Sequence, residues 1–289
     1  MTAETASTSR VLPPVDRAPL RRRKWRRAGV QAACVAITLF MALPLVFIAL
    51  AAFSGRAALN EFPKSLVPSE FAVDTMTSFL AGTGTVPALG NSLLVGCYTV
   101  VLSLLFGAPA GYALARHTFR GKDAYQLFVL LVRALPIVVL SVPLATMFLN
   151  FGIYDKVVSV TLVHTALAMP TTVLITASIF VSVPTDVEEA ARVFGCTKLD
   201  AVRRTVLPLA LPGLAAASIF TFVLSWNEVL GAAVLTLGHR TLPAQVLASL
   251  AESPQAYRFA GGFALVVPAL VFIAVMRRYL LNMWGSTLR

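Results

Sequence analysis

The chain has 289 residues, of which 57% are hydrophobic and 13% charged, and its formal net charge is +11. Soluble domains carry roughly a quarter charged residues, so a water-soluble globule is excluded and a lipid-embedded chain is expected. The basic excess does not point to nucleic acid, because it is dispersed in short segments between apolar runs.

In chain order, residues 1–27 are rich in Pro, Ser, Thr and Arg and read as a mobile, basic tail. Its densest cluster is Arg21, Arg22, Arg23, Lys24, Arg26 and Arg27, directly before the first long apolar run. That run is too long for a cleavable signal. Six segments are long and apolar enough to span a hydrocarbon core: 30–53, 91–115, 125–149, 157–181, 213–237 and 260–281. Backbone groups cannot go unpaired in lipid, so each is expected to be a helix and the fold to be all-α. Residues 54–89, with Pro63, Pro68, Gly82, Gly84 and Pro87, read as a long surface loop. The shorter stretch 238–259 reads as a connector or a partner contact.

Counting Lys and Arg on alternate sides places 18 of 24 on the side of the N-terminus and five (Arg56, Lys64, Lys156, Arg240, Arg258) on the other. Arg133 falls inside a span. Both termini are therefore expected in the cytoplasm. The resulting division is a tail (1–27), a first span with its external loop (28–87), a five-helix core (88–281) that includes a cytoplasmic loop (183–212), and a C-terminal tail (282–289).

That loop is longer than a connection needs to be. Thr185 or Asp186 is placed to cap a helix whose first turn holds Glu188 and Glu189. Ala190 and Ala191 give it a flat face, and Gly195 suits the left-handed turn that ends it. A second short helix is expected from about Lys198 until Pro208, with Pro212 fixing re-entry into the membrane. The arrangement suits a rigid, force-transmitting protrusion; an amphipathic loop lying on the membrane surface fits the same residues.

Glu189-Ala190-Ala191, with Gly195 six residues after the Glu and Leu207-Pro208 following, resembles the EAA loop of ATP-binding-cassette importer permeases. Phe194, Cys196 and Thr205 depart from the usual pattern. Asn91-Ser92-Leu93, Gly111-Tyr112-Ala113-Leu114-Ala115-Arg116, Gly152-Ile153-Tyr154-Asp155 and Phe222-Val223-Leu224-Ser225-Trp226-Asn227-Glu228 resemble the carbohydrate (maltose-type) branch, and the smaller of its two permeases. The resemblance implies a type I importer permease fold in the bacterial cytoplasmic membrane. It implies that Glu189, Ala190, Ala191, Gly195, Leu207 and Pro208 belong to the element that docks on an ATP-binding subunit, itself a dimer. A second, related permease and an extracytoplasmic solute-binding protein complete the expected partners, with membrane lipid around them. ATP and Mg belong to the ATPase partner. This chain has no phosphate-binding glycine-lysine run, and Gly121-Lys122 lacks both the leading glycine and the following hydroxyl.

Inside the spans, Glu228 costs roughly 2.5–3.5 kcal/mol on insertion scales, so it must face protein or water. With Trp226 and Asn227 it either lines the solute path, the indole stacking on sugar, or clamps helices, with Arg133 as partner. The three histidines and three cysteines form no evident metal or redox cluster. Pro136, Pro143, Pro170 and Pro268, and the 107–111 Gly-Ala-Pro-Ala-Gly run, are sites at which spans could bend. Other readings stay open: a proton- or sodium-driven transporter working through Glu228, a membrane scaffold, or an importer for polyamine, phosphonate or phosphate.

Overall fold

A computed structural model describes residues 18–285, apart from 56–57, 60, 63–65, 83 and 250–252. The tail residues 1–17 and 286–289 lie outside the described residues. The elements are α1 (Ala18–Ala52), α2 (Asp74–Ala81), α3 (Thr85–Arg116), α4 (Lys122–Arg133), α5 (Ile137–Asn150), α6 (Val157–Ser182), α7 (Thr185–Val193), α8 (Lys198–Ala201), a π-turn (Val202–Val206), α9 (Leu207–Asn227), α10 (Leu230–Leu235), α11 (Leu242–Ser249) and α12 (Gln255–Gly285). The described residues are all-α, save for one isolated bridge between Ser54 and Phe71. Among the described residues, five helices are long and apolar enough to cross a membrane, or six if α4 and α5 together form one bent span.

Several expected boundaries are corrected. Residues 18–27 are helical and continue into the first span, because Arg and Lys are good helix formers and no proline intervenes after Pro19. The stretch 54–89 is no simple loop: α2 lies within it with Thr75 and Phe79 buried, and α3 starts six residues before the expected span. The stretch 238–259 holds α11, which buries Leu242, Pro243, Ala244 and Val246.

The third span breaks at Ala134–Pro136 with an 87° bend. Pro136 has no N–H to continue the ladder and disfavours helical geometry in the residue before it. The fifth span is both longer and shorter than expected. It begins at Lys198, and it ends at Asn227, where Glu228 turns extended.

The chain divides into two compact units, residues 1–47 and 48–289. Within the larger unit α6 is the central helix, 61% buried over its most apolar window. It carries Ser159, Thr161, His164, Thr165, Thr171, Thr172 and Thr176, all buried. Small polar residues at this density mark a helix packed against helices rather than lipid. α3 lies close along it because Gly107 and Gly111 face it. A β-carbon on Gly111 would lie 2.7 Å from the Ala177 backbone nitrogen, and one on Gly107 2.9 Å from Thr172. The 107–111 run is therefore a contact surface within an unbroken helix and not a break in one.

Candidate functional site

The loop between α6 and α9 is built as two short helices around one glycine. α7 starts after Pro184 without a side-chain cap, so neither Thr185 nor Asp186 plays the capping role expected of it. Gly195 adopts φ +90°, the left-handed turn, with open space around it. Thr197 caps the second helix, its hydroxyl accepting the Asp200 N–H at 3.2 Å. That helix does not stop at Pro208. It passes through the π-turn into α9, so the loop and the membrane span are one continuous shaft from Lys198 to Asn227. The expected proline brake is absent because Pro208 follows directly on the π-turn, whose altered hydrogen-bond ladder accommodates a residue without an N–H.

Of the residues singled out in this loop, Glu189 and Ala190 are exposed and Ala191 is buried against the second helix. Leu207 and Pro208 are exposed on the shaft. Val193 and Phe194, beside the glycine, are 85% and 88% exposed and form an apolar tip. Sequence reasoning dwelt on Glu189 and missed its neighbour. Glu188 faces inward, accepting the Tyr112 hydroxyl at 2.6 Å and pairing with Arg116 Nε at 3.3 Å. Arg116 also donates to the Val183 carbonyl at 2.8 Å. Both side chains of the ion pair are nearly buried, which makes it less screened by salt than a surface pair. Lys198 Nζ lies 3.0 Å from His117 Nε2. The loop is thus tethered at two points to the end of α3. The signal was present in the sequence within the Gly111–Arg116 run, where Tyr112 and Arg116 stand four residues apart on one helix face.

At the other end of the shaft the trio Trp226-Asn227-Glu228 divides. Trp226 is 3% exposed, stacks on Phe222 and donates its indole N–H to the Leu265 carbonyl at 2.8 Å. It joins α9 to α12 and is not a sugar platform, because its ring faces have protein on them. Asn227 is exposed and donates within its own helix to Val223. Glu228 lies at the break and caps α10, accepting the N–H groups of Gly231 at 3.1 Å and Ala232 at 3.3 Å. Its partner across the bundle is His164, 3.2 Å away, and not Arg133. Arg133 is exposed at the end of α4, just before the bend, and among the described residues it forms no ion pair. The expected Glu228–Arg133 clamp is corrected to Glu228–His164.

His164 is 1% exposed, and its Nδ1 lies 2.9 Å from the Ser225 hydroxyl. Ser225 reaches Thr99 at 3.5 Å, Thr172 meets Thr221 at 3.0 Å, and Thr176 donates to the Gly107 carbonyl at 3.0 Å. These groups form a polar seam joining α3, α6 and α9. His164 escaped notice because a lone histidine in an apolar run carries no pattern of its own.

Also at that end, Asp155 adopts φ +56° and its carboxylate accepts the N–H groups of Leu237 (2.8 Å), Gly238 (2.9 Å) and His239 (3.0 Å). Partial burial pushes its carboxyl up, but the amides of His239, Leu237 and Gly238 outweigh that and hold it below its ordinary value. Asn91 donates to the Arg240 carbonyl, and the Ser92 hydroxyl accepts the Leu242 N–H. The segment 237–242 is thereby stitched to α3 and to the entry of α6. A recess of about 530 Å³ between α3, α4 and α6 is lined by Leu102, Phe106, Phe128 and Met169 among others, with Thr165 and Tyr125 carrying its side-chain hydroxyls. Such a lining offers a polyol almost no hydrogen bonds.

Residues 103–281 match the family model for the inner membrane component of binding-protein-dependent transport systems. The trehalose transport system permease protein SugB of Mycobacterium tuberculosis is 32% identical over 74% of this chain and 80% of its own length. The arabinooligosaccharides transport system permease protein AraQ of Halalkalibacterium halodurans is 29% identical over 84% of this chain and 89% of its own. Among solved structures, a chain of a bacterial ABC transporter involved in alginate import is similar in fold, with a TM-score of 0.67 at 21% identity. That match covers 89% of this chain and 98% of that one.

Proposed function

The chain belongs to the family of inner membrane components of binding-protein-dependent transport systems, and from that premise we propose that it forms half the translocation path of an importer for a sugar or sugar-like solute. The trehalose and arabinooligosaccharide systems to which similar permeases belong support that cargo class. The chain is a membrane permease and not the ATPase; ATP and Mg are handled by a separate subunit. In this reading a pair of ATP-binding subunits grips α7 and α8 through Glu189, Ala190, Ala191 and the Gly195 turn. A second, related permease completes the path. An extracytoplasmic solute-binding protein delivers cargo at the opposite end, near the Asp155 rim. Both termini and the α7–α8 loop lie in the cytoplasm, and the chain spans the bacterial cytoplasmic membrane several times. The 18-to-5 distribution of basic residues supports this orientation.

The observation that carries the proposal is the continuous shaft. Movement of the partner ATPase enters at the exposed face of α7. It reaches α9 through α8 and the π-turn, and α3 through the Glu188–Arg116 and Lys198–His117 tethers. α9 ends at Glu228, where the capped break and the His164 seam give the outer end of the path a point at which to pivot. Asn227, exposed at the break, and Glu228 are the polar groups offered to solute there, and the apolar recess is not the route.

Co-purification in mild detergent tests the reading. The native chain should bring down an ATPase subunit and a second permease. A Glu189→Arg/Gly195→Pro variant should lose the ATPase and keep the permease. Arg116→Ala should assemble and hydrolyse ATP, with transport reduced by about tenfold, since coupling energies of 1–3 kcal/mol correspond to 5–150-fold. A native chain that purifies alone and still moves solute into vesicles without ATP would overturn the proposal in favour of gradient-driven transport.

A further inference from the structure

α1 carries Arg21, Arg22, Arg23, Lys24, Arg26 and Arg27 within seven consecutive helical positions, about 10 Å of axis at 1.5 Å per residue. At 3.6 residues per turn these positions fall all round the axis, making a collar instead of a stripe. No Asp or Glu occurs from residue 17 to residue 60, so nothing along this helix neutralises them. In the sequence Arg22 and Arg26, and Arg23 and Arg27, stand at the i,i+4 spacing at which like charges on a helix are unfavourable without an anion to offset them. Its depth is fixed: the apolar run begins at Val30, less than one turn beyond Arg27. Trp25 stands within the collar, 71% exposed, and an indole so placed favours the boundary between headgroups and hydrocarbon. Arg26 and Arg27, with Val30 and Gln31, line a shallow groove that runs from charge to apolar surface.

We propose that this collar is a binding site for anionic phospholipid headgroups, closed over by Trp25, through which the chain takes up a shell of acidic lipid. Guanidinium groups, five of the six cations here, present paired N–H donors matched to phosphate oxygens. A groove that grades from Arg26 and Arg27 into Val30 suits a phosphate that continues into an acyl chain. A nucleic-acid backbone or an acidic peptide would leave the apolar half of that groove and the indole without a partner. The chemistry therefore selects a phosphodiester carried on a lipid.

The test uses the full chain in mild detergent, with phosphatidylglycerol and phosphatidylcholine as competing probes and retained lipid counted by native mass spectrometry. The native chain should retain phosphatidylglycerol over phosphatidylcholine by at least about tenfold, given roughly 1 kcal/mol, or fivefold, per basic residue near an anionic surface. Arg22→Gln/Arg23→Gln/Arg26→Gln/Arg27→Gln should abolish that preference. The four matching Arg→Lys changes should keep most of it. Trp25→Ala should weaken retention of phosphatidylglycerol while keeping its preference over phosphatidylcholine. If the quadruple Gln variant does not accumulate, Arg26→Gln/Arg27→Gln serves, with at least a fivefold loss expected. Equal retention by native and Gln variants overturns the proposal. So does displacement of the lipid by millimolar inorganic phosphate, which would identify a site for free anions. Binding of the native chain to RNA in preference to phosphatidylglycerol vesicles would identify a nucleic-acid surface instead.

Discussion

α6 and α12 are both long enough to cross a membrane, yet α6, with a mean hydropathy of 1.7 over its most apolar window, has 61% of that window buried. α12 reaches 2.4 and has 11% buried. In a water-soluble protein the more apolar helix would be the interior one. Here lipid is as apolar as leucine, so apolarity earns no place in the core, and what gathers helices together is close packing and hydrogen bonding. The buried side chains of α6 are small or polar, and they meet glycines on α3 and hydroxyls on α9. α12 shows Val267, Leu270, Val271 and Val275 to its surroundings.

The contrast breaks most readily at the glycines. Gly111→Ala must displace backbone, because the new carbon would fall 2.7 Å from the Ala177 nitrogen. Overpacking of this kind costs roughly 1–3 kcal/mol. Gly262→Ala on α12, whose nearest neighbour is 3.8 Å away, should be close to neutral. Thermal melts of the two variants in detergent check this, and equal melting temperatures would remove the claim that α6 is held by close approach.

A comparable loss is expected at the seam. His164→Ala removes the cross-bundle partner of a carboxylate, worth roughly 1.5–3 kcal/mol for a hydrogen bond to a charged group. Val271→Ala on α12, 56% exposed, should leave stability almost unchanged. Glu228 should keep capping α10 in the His164 variant, so amide exchange ought to rise at residues 99–103 and 225–228 before it rises at Gly231. A melt that moves equally in both variants would make the seam incidental.

The smallest effect lies at the N-terminal end of α6. Because Asp155 has its carboxyl held below the ordinary range when folded, the stabilisation from its three amide donors is fully present above that ordinary value, near 3.9. It is lost only as pH falls through the lower, folded value. Amide exchange at Leu237, Gly238 and His239, corrected for intrinsic rate, should stay flat from pH 7 to pH 5 and rise below about pH 4. An Asp155→Asn variant should show the raised exchange at every pH. Protection that already disappears between pH 7 and pH 5 would take control away from Asp155.

These differences mark how far the sequence could be read. Hydropathy located every long span, and the Glu189–Gly195 spacing located the two-helix loop, because both depend on local pattern. The break at Glu228 was not legible, since the residues on either side are as apolar as a continuous span requires. Pro136 showed where the third span could bend but not that it would turn through 87°. Trp226 suggested a sugar platform by residue type alone, and only the placement of Phe222 and Leu265 shows that its surfaces are already occupied. His164 and Glu228 are 64 residues apart, and no periodicity connects them.

The π-turn at Val202–Val206 has a consequence for how such a shaft is put together. Its wider turn, closed by the Leu207 N–H on the Val202 carbonyl, accommodates one residue more than an α-helix would over the same rise. Thr205 meanwhile supplies its hydroxyl to the Ala201 carbonyl. That surplus residue sets the azimuth of everything after it about 100° away from where an uninterrupted helix would put it. The faces of α8 and α9 are thus indexed independently. Deleting one residue between Val202 and Val206 should close the turn to an ordinary α-helix and keep both the length of the shaft and the facing of its two ends. Inserting one residue elsewhere in the shaft, where no wide turn takes it up, should rotate the two ends by about 100° against each other, a fault of angle more than of reach.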